Sequence, residues 1–298
     1  MRVTNSTVSD NIVDQIQRLS TQQAKLQNQV STGQRIFQPE DDPASVARVL
    51  DLQAEQRNVS QYKSNAARAL QISQASFSGL QSIKTVSDRA NQIATLASGA
   101  LNASQMQAYG SEVNQLIEQT VQSANSKFGN DYLYAGTAVD APPFVATRDA
   151  QGNVLSAAYA GNSNQSQISL SETATVTPTT SGATNLSLRD FINQLVSLRD
   201  ALNSNSASGV ATAQGALGTS EDTIVSALAE HGGVQTRIEA NQSQQADRIT
   251  NVEKLISTEA DADLPSTIVK LTQTQTAYQA ALQSAANIMR ISLLDYIK

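Results

Sequence analysis

The side chains that most often catalyse reactions or bind metals are scarce in this sequence. Its 298 residues include no cysteine and a single histidine, His231. No thiol nucleophile, disulfide or cysteine-bound zinc is therefore possible, and one imidazole cannot form a histidine pair for a metal. A Ser/His/carboxylate triad would need His231, which stands beside Gly232 in a helical stretch, where a solvated or kink-associated histidine is the commoner arrangement. We expect no enzyme activity, no catalytic or metal site and no cofactor.

Two acidic clusters contain carboxylates of the kind that bind cations. Asp41 and Asp42 stand directly before Pro43, an order that favours a helix start with a capping carboxylate and proline in the first helical position. The second cluster, residues 259–263, lacks the glycine and the spacing of an EF-hand loop. It is interpreted as a solvated turn in which Asp263 caps the last helix. Both clusters are thus predicted to organise helix ends.

The composition excludes several functional classes. Charged residues make up 15% of the chain and aromatic residues 4%, with no tryptophan, and the net charge is −6 with a pI near 4.9. An acidic chain without a basic patch is a poor candidate for nucleic-acid binding. No apolar run reaches the ~18 residues of a membrane span, and the first residues lack the apolar core of a secretion signal. The abundance of small polar residues suits long, thin helices.

Apolar side chains recur at alternating steps of four and three residues near both ends of the chain. This is the pattern of a helix that buries one stripe against another helix. The N-terminal stripe is Ile12, Ile16, Leu19, Leu26 and Val30, with Gln23 in one slot. The C-terminal stripe is Leu264, Ile268, Leu271, Gln275, Tyr278, Leu282, Ala285 and Met289, followed by Leu293 and Leu294. We expect the two ends to pack together as an assembly interface and, because an isolated helix pair is marginal in water, to order only on assembly.

Capping and breaking signals divide the rest of the chain. The first helix is predicted over about 9–30, with Gly33 ending it, and a second over about 43–100. A third begins at Ser104, with Gln107 completing a capping box, and ends near residue 128. A fourth begins at Ser187 as N-cap, a fifth covers about 211–257 with a possible kink at residues 231–233, and a sixth follows Asp263.

A segment with strand-like residue patterns separates the two helical halves of the chain. Strand-like runs at 144–147 and 154–159 flank a predicted hairpin turn at 149–153. The fold class is therefore mainly α with a small β insert: a long antiparallel helical bundle formed by both chain halves, terminal coiled-coil segments and a central β-rich domain. The predicted domains are a terminal coiled-coil segment at 1–40, half of the bundle at 41–136, the β insert at 137–186, the other half at 187–258 and a terminal coiled-coil segment at 259–298.

Several motifs resemble a known family. Residues 30–36 (VSTGQRI), followed by residues 41–44 (DDPA), resemble the N-terminal signature of bacterial flagellins and their relatives. Residues 132–137 (YLYAGT) resemble the point where this family's helices give way to its β domain, and residues 233–239 (GVQTRIE) its C-terminal helix signature. The motif residues carried by the resemblance are Gly33, Arg35, Asp41, Asp42 and Pro43. The resemblance covers roughly residues 1–136 and 187–298.

Smaller features distinguish members of the family. Pro43 stands where flagellins usually have alanine, and the residues after the last stripe, 291–297 (ISLLDYI), resemble the members that join hook to filament. The resemblance implies a structural role in a ring, between a hook-associated protein on the hook side and flagellin on the filament side. It also implies extracellular location, type III export and an export chaperone on the C-terminal helices. A short flagellin and a type III secreted coiled-coil interaction protein remain alternatives.

Overall fold

The computed structural model describes the backbone of residues 5–99 and 102–296, and the side chains of residues 10–99 and 102–287. The described chain contains six helices and six short strands. The helices are α1 (Asn5–Thr32), α2 (Pro43–Ala97), α3 (Ala103–Ala124), α4 (Gly182–Asn203), α5 (Ala207–Ala260) and α6 (Leu264–Tyr296). The strands are β1 (Lys127–Phe128), β2 (Asp131–Tyr132), β3 (Phe144–Arg148), β4 (Val154–Tyr159), β5 (Ile168–Ser169) and β6 (Thr175–Val176). The predicted mainly α fold with a small β insert is confirmed.

The chain forms two compact units, each of which draws on both halves of the sequence. The first combines Met1–Asn58 with Arg248–Lys298, and the second is Val59–Asp247. Each of the long helices α2 and α5 contributes one end to the first unit and the remainder to the second. The five predicted domains stay a prediction, because each is one continuous segment, whereas the first compact unit combines segments from both ends of the sequence.

In the first unit, α1 and α6 pack against each other. The face that α1 buries is the predicted one: Leu26 is buried, and Ile12, Ile16, Leu19 and Val30 are half-buried. Gln23 is also half-buried and occupies the polar slot of the stripe. The heptad spacing of α1 therefore predicted the correct face.

The stripe buried on α6 overlaps the predicted one: Leu271, Tyr278 and Ala285 belong to both, and the predicted Gln275 is half-buried at its edge. Its members follow the same four- and three-residue steps: Thr267, Leu271, Thr274, Tyr278, Ala281 and Ala285. Leu264, Ile268 and Leu282 of the predicted stripe remain exposed. Small side chains on the buried face let two helices approach closely, and the buried Thr274 hydroxyl is satisfied by donating to the Lys270 carbonyl oxygen at 2.8 Å. The predicted pattern missed Thr267, Thr274 and Ala281, which complete this face.

The second unit holds the main hydrophobic core, where α3 and α4 pack together. The largest fully buried side chains are Tyr134, Phe144, Phe191, Leu80, Ile83, Ile93, Ile117, Leu170, Leu188, Ile192, Leu195 and Leu198. Two predicted caps were wrong. The N-cap of α3 is Asn102, in a capping box with Gln105, and that of α4 is Ser181, whose hydroxyl accepts from the Thr184 amide. Helical residues therefore precede Ser104 and Ser187, because in each case an earlier polar side chain reaches the free amides first.

The described strands form three two-stranded antiparallel sheets: β1–β2 precedes the predicted insert, and β3–β4 and β5–β6 lie within it. The β3–β4 hairpin is the predicted one: Phe144 lies opposite Tyr159, and the turn spans the predicted residues. Inside that turn, Asp149 accepts from the Gln151 and Asn153 amides at 2.9 and 2.8 Å. Helix α3 ends at Ala124, and the first strand pair occupies part of the segment that was predicted to be helical.

His231 is buried, which corrects the expectation of a solvated side chain. It lies inside the continuous helix α5, it is only 4% exposed, and its Nδ1 is 3.2 Å from the Ser73 hydroxyl of α2. Burial lowers the pKa of its imidazole. Gly232 and Gly233 cost helix propensity, but packing of α5 offsets that cost.

Over the part of the chain that the structure describes, no helix is both long and apolar enough to cross a membrane.

Candidate assembly site

The two ends of the sequence meet at the tip of α1. Gly33 ends α1 with a positive φ of 73°, a conformation that glycine adopts without strain. Its carbonyl oxygen accepts from the Ala262 amide at 2.8 Å, and the Arg35 amide donates to the Ala260 carbonyl oxygen at 2.7 Å. Together with the bridge between Gln34 and Asp261, these bonds form a short antiparallel pairing. We call residues 33–45 and 257–263 the terminal clamp.

Arg35 is the centre of the terminal clamp. Its guanidinium donates to the Glu259 carbonyl oxygen at 2.7 Å, the Ser45 hydroxyl at 3.2 Å and the Asp42 carboxylate at 3.2 Å. A planar guanidinium is suited to three acceptors in fixed directions, whereas a lysine would offer one point charge. Arg35 therefore connects the start of α2 to the end of α5.

Asp42 caps α2, as its position before Pro43 predicted. Its carboxylate accepts from the Ser45 amide at 3.1 Å and from the Ser45 hydroxyl at 2.6 Å. These two bonds, followed by the Arg35 guanidinium, lower the pKa of Asp42 to about 2. The Asp42 carboxylate thus stays ionised across the whole physiological range.

Asp41 fixes the loop before α2. It accepts from Lys25 of α1 at 2.7 Å and from the amides of Phe37 and Gln38 at 3.1 and 3.0 Å. Lys25 first, and then the two amides, lower the pKa of Asp41 to about 2. The loop that carries Phe37 is consequently anchored to α1 through Lys25 and to Asp41 through its own two amides.

The acidic turn at the end of α5 is more than a solvated cap. Glu259 forms an ion pair with Arg48 of α2 at 3.0 Å, and this bond is the main reason that the pKa of Glu259 is lowered. Asp263 does cap α6: its carboxylate accepts from the Ser266 amide at 3.4 Å, and its carbonyl oxygen accepts from the Thr267 amide at 2.9 Å. Within the described residues, no group of three or more His, Cys, Asp or Glu side chains is placed to hold a metal ion.

The exposed flank of α6 completes the site. Leu264, Ile268 and Leu282 are 41%, 49% and 43% exposed. At about 100° per residue, these three side chains lie some 70–80° around the helix from the stripe that faces α1. We call them the α6 flank. The packed helix pair therefore presents an apolar edge that nothing in the described chain covers.

The predicted site residues with described side chains divide into three groups. The α1 stripe, together with Leu271 and Tyr278, lies in the α1–α6 contact, and the five motif residues lie in the terminal clamp. Leu264, Ile268 and Leu282 lie on the α6 flank. The side chains of Met289, Leu293 and Leu294 fall outside the described ones.

Three comparisons with known proteins agree with this geometry. Residues 3–138 match the bacterial flagellin N-terminal helical region. The chain is 25% identical to flagellar hook-associated protein 3 of Escherichia coli over 293 residues, covering 92% of each. A putative flagellar hook-associated protein from Vibrio parahaemolyticus has the same fold, with a TM-score of 0.66 and 17% identity, covering 74% of this chain and 100% of that one. FlgL from Bacillus cereus does too, with a TM-score of 0.61 and 20% identity, covering 70% and 99%.

The first half of this chain thus matches the flagellin N-terminal region, and the chain as a whole is similar to flagellar hook-associated protein 3. It is a structural component of the flagellum. The resemblance seen in the flagellin-family motif at residues 30–44 now has a physical basis, because the motif supplies the terminal clamp: Gly33 turns the chain, Arg35 connects it to α5, and Asp41 and Asp42 hold the loop and start α2.

Sequence reasoning missed several residues of the terminal clamp. Lys25, Ser45 and Arg48 were not singled out, although all three contact a motif residue or Glu259. Lys25 and Arg48 sit on exposed helix faces, where a charge usually means only a solvated surface. The one available signal was the local excess of charged residues on both sides of the motif in a chain with few charges.

Proposed function

We propose that this protein joins the flagellar hook to the filament as a ring of copies whose terminal helices pack against their neighbours. On the hook side it contacts another hook-associated protein, and on the filament side it contacts flagellin. The similarity to hook-associated protein 3 along 92% of both chains supports this role over that of a short flagellin. Pro43 and the residues after the last stripe, 291–297, support the same choice.

The observation that carries the proposal is the α6 flank. Helix α6 already buries one stripe against α1, yet Leu264 and Ile268, about one turn apart, and Leu282, nearly four turns further along, remain close to half exposed. A row of large apolar side chains in water favours association with another surface. A helix pair with one satisfied seam and one free apolar edge is suited to packing side by side with further copies.

The terminal clamp supports the same role. It connects the two terminal helices through main-chain bonds between Gly33 and Ala262 and between Arg35 and Ala260. Contacts made by α1 and α6 with neighbouring copies are thereby transmitted to the starts of α2 and α6. A joint between two different polymers needs such a connection, because force must pass from the terminal helices into the rest of the subunit.

Export fits the composition. The protein reaches the exterior through the flagellar type III apparatus, with a chaperone on the C-terminal helices before assembly. A chain without cysteine needs no oxidative folding on either side of the membrane. The exposed α6 flank is a surface that a chaperone would need to cover in the cytoplasm.

Localisation tests the proposal directly. An epitope inserted at Gly152, in the exposed β3–β4 turn, is followed by immuno-electron microscopy in a strain lacking the native gene. We expect a short band of label at the hook–filament boundary. Label along the whole filament would instead identify a short flagellin, and label away from the flagellum would identify a secreted interaction protein.

A pair of substitutions tests the role of the α6 flank. Ile268→Asp places a charge on the flank, and Gln273→Asp places the same charge on the far side of α6, where the side chain is exposed and polar. We expect the first to abolish filament attachment and swimming and the second to leave both intact. Equal swimming by the two variants would remove the flank from the mechanism.

A further inference from the structure

A cavity of about 390 Å³ lies in the second unit, between α2, the β1–β2 pair and the segment that carries β5. Its apolar wall includes Ile72 of α2, Phe128 of β1 and Ile168 of β5, and polar side chains from the same three places line the rest. The volume is within the range of small-molecule sites. A wall that mixes apolar and polar side chains favours a ligand of the same mixed character. We call this the α2 cavity.

The α2 cavity is open to solvent at one end. A wider depression of about 670 Å³ adjoins it, and Arg68, Phe128 and Asp131 line both. Arg68 and Asp131 are exposed. The mouth of the cavity therefore carries one cation and one anion, and a small molecule reaches the interior without a rearrangement of the chain.

The charged side chains at this mouth have no ion-pair partners. Neither Arg68 nor Asp131 forms an ion pair within the described residues. Lys127 forms none there either, and its ammonium lies 4.3 Å from the centre of the Tyr132 ring, which lines the cavity. Two free cations and one free carboxylate leave a positive balance in a chain whose net charge is −6. The local field consequently favours an anionic ligand.

The residue types at the cavity narrow the class of ligand. The guanidinium of Arg68 is suited to a carboxylate, which it can bind through two parallel hydrogen bonds. An ionised Asp131 only accepts hydrogen bonds, so the ligand must also carry O–H or N–H donors. Tyr132 offers an apolar ring and a hydroxyl, and an apolar C–H surface on the ligand would pack against that ring.

We propose that the α2 cavity binds an acidic sugar, with its carboxylate on Arg68, a hydroxyl on Asp131 and the C–H face of its ring on Tyr132. A uronic acid combines one carboxylate, a row of hydroxyls and an apolar C–H face in a single molecule. An aliphatic carboxylate would bring no donor for Asp131, which would lose its water without a replacement bond. A free amino acid would match the two charges but would supply no hydroxyls for the remaining polar groups.

This binding function is separate from the proposed junction role. Every residue of the α2 cavity belongs to the second unit, whereas the terminal clamp and the α6 flank belong to the first. A protein that joins hook to filament without binding sugar would remove only the present inference. Sugar binding by a protein that labels the whole filament would remove only the junction role.

Binding is measured on the full-length, ¹⁵N-labelled protein by NMR titration, with D-glucuronate, D-glucose and L-alanine as probes. We expect D-glucuronate to bind with a Kd of about 1 mM, as is usual for a ligand of about a dozen non-hydrogen atoms. The amide signals of Gly136 and Ser169, which line the cavity, should shift. D-glucose, which lacks the carboxylate, and L-alanine, which lacks the hydroxyls, should bind at least tenfold more weakly. Equal affinity for glucose and glucuronate, tighter binding of alanine, or no binding of glucuronate would overturn the proposal.

A pair of matched substitutions tests the role of Arg68. Arg68→Ala should raise the Kd for D-glucuronate at least tenfold and leave the weak binding of D-glucose unchanged. Lys63→Ala removes the same charge from an exposed position five residues earlier, which is about 140° around α2 from Arg68. We expect Lys63→Ala to bind D-glucuronate as the parent does. Equal losses in the two variants would show a general effect of charge and would refute a site at Arg68.

Filling the cavity gives a test that keeps every charge in place. Ser166 lines the α2 cavity and is exposed outside the strands. Ser166→Trp should block the cavity and abolish the D-glucuronate shifts, while circular dichroism shows unchanged folding. Parent-like binding by a folded Ser166→Trp variant would place the sugar elsewhere and would overturn the proposal.

Discussion

The guanidinium of Arg35 donates a 2.7 Å hydrogen bond to the main-chain carbonyl oxygen of Glu259, a residue 224 positions further along the chain. This bond closes the terminal clamp, in which the loop after α1 pairs with the turn before α6. The acceptor is a backbone oxygen, so the contact requires only that the turn at 259 have the correct path. The relationship explains why an arginine stands in the flagellin-family motif at residues 30–44.

Removing the guanidinium should loosen the clamp. We expect Arg35→Ala to cost on the order of 1–2 kcal/mol locally, because three acceptors lose a charged donor at a partly exposed site. Amide hydrogen exchange at the backbone N–H groups of residues 35 and 262, measured by NMR, should accelerate by about tenfold or more. Arg18→Ala is the matched control, since Arg18 is exposed on α1 without an ion pair in the described chain. Equal exchange in the two variants would contradict the role assigned to Arg35.

The clamp should weaken in acid. The pKa values of Asp41 and Asp42 are about 2 in the folded chain, below the ~3.9 of an unfolded aspartate. Their contribution to stability is therefore present above about pH 4 and is lost as the pH falls towards 2. Carboxyl ¹³C shifts followed against pH should give midpoints near 2 for both residues. Lys25→Met should raise the midpoint of Asp41 and leave that of Asp42 in place; midpoints near 3.9 in the parent protein would refute the clamp geometry.

His231 should make the stability of the second unit depend on pH near neutrality. Burial lowers its folded pKa below the ordinary value of 6.5, so the neutral form is favoured by folding. The stabilisation is complete above about pH 6.5 and declines as the pH falls towards the folded pKa, by at most about 1.4 kcal/mol per pH unit. Urea unfolding between pH 5 and 7.5 should show this slope, and His231→Gln should abolish it. Because the chain has one histidine, an unchanged slope in the variant would show that His231 is not the group responsible.

Tyr134 and Gly79 should be energetically coupled. The buried Tyr134 hydroxyl donates to the Ser76 carbonyl oxygen at 2.7 Å, and a Cβ built on Gly79 would collide with that hydroxyl. Gly79→Ala should therefore destabilise by about 1–3 kcal/mol despite alanine's better helix propensity. In a Tyr134→Phe background the same change should cost less, as measured by a double-mutant cycle in urea. Additive effects would mean that the methyl group added at position 79 does not contact the Tyr134 hydroxyl.

Much of the helical framework was predictable because its signals are local. Gly33, Asp42 with Pro43, and Asp263 act on backbone groups within a few residues, and the structure confirms each as a helix end. The heptad steps of α1 likewise predicted the face that is buried. The turn at 149–153 was equally clear, because an aspartate that caps its own loop needs no distant partner.

Other features depended on packing between distant segments. The spacing of apolar residues on α6 allowed two neighbouring stripes, and only contact with α1 selected the one with Thr267 and Thr274. The burial of His231 against Ser73 and the bond from Arg35 to Glu259 also join separate parts of the chain. The sequence by itself determined where helices begin and end and where they carry apolar side chains, since those preferences act within about one helical turn. Which stripe is buried, which is left free and which ends are clamped together was decided by the tertiary structure, since each depends on the surface that another segment brings to it.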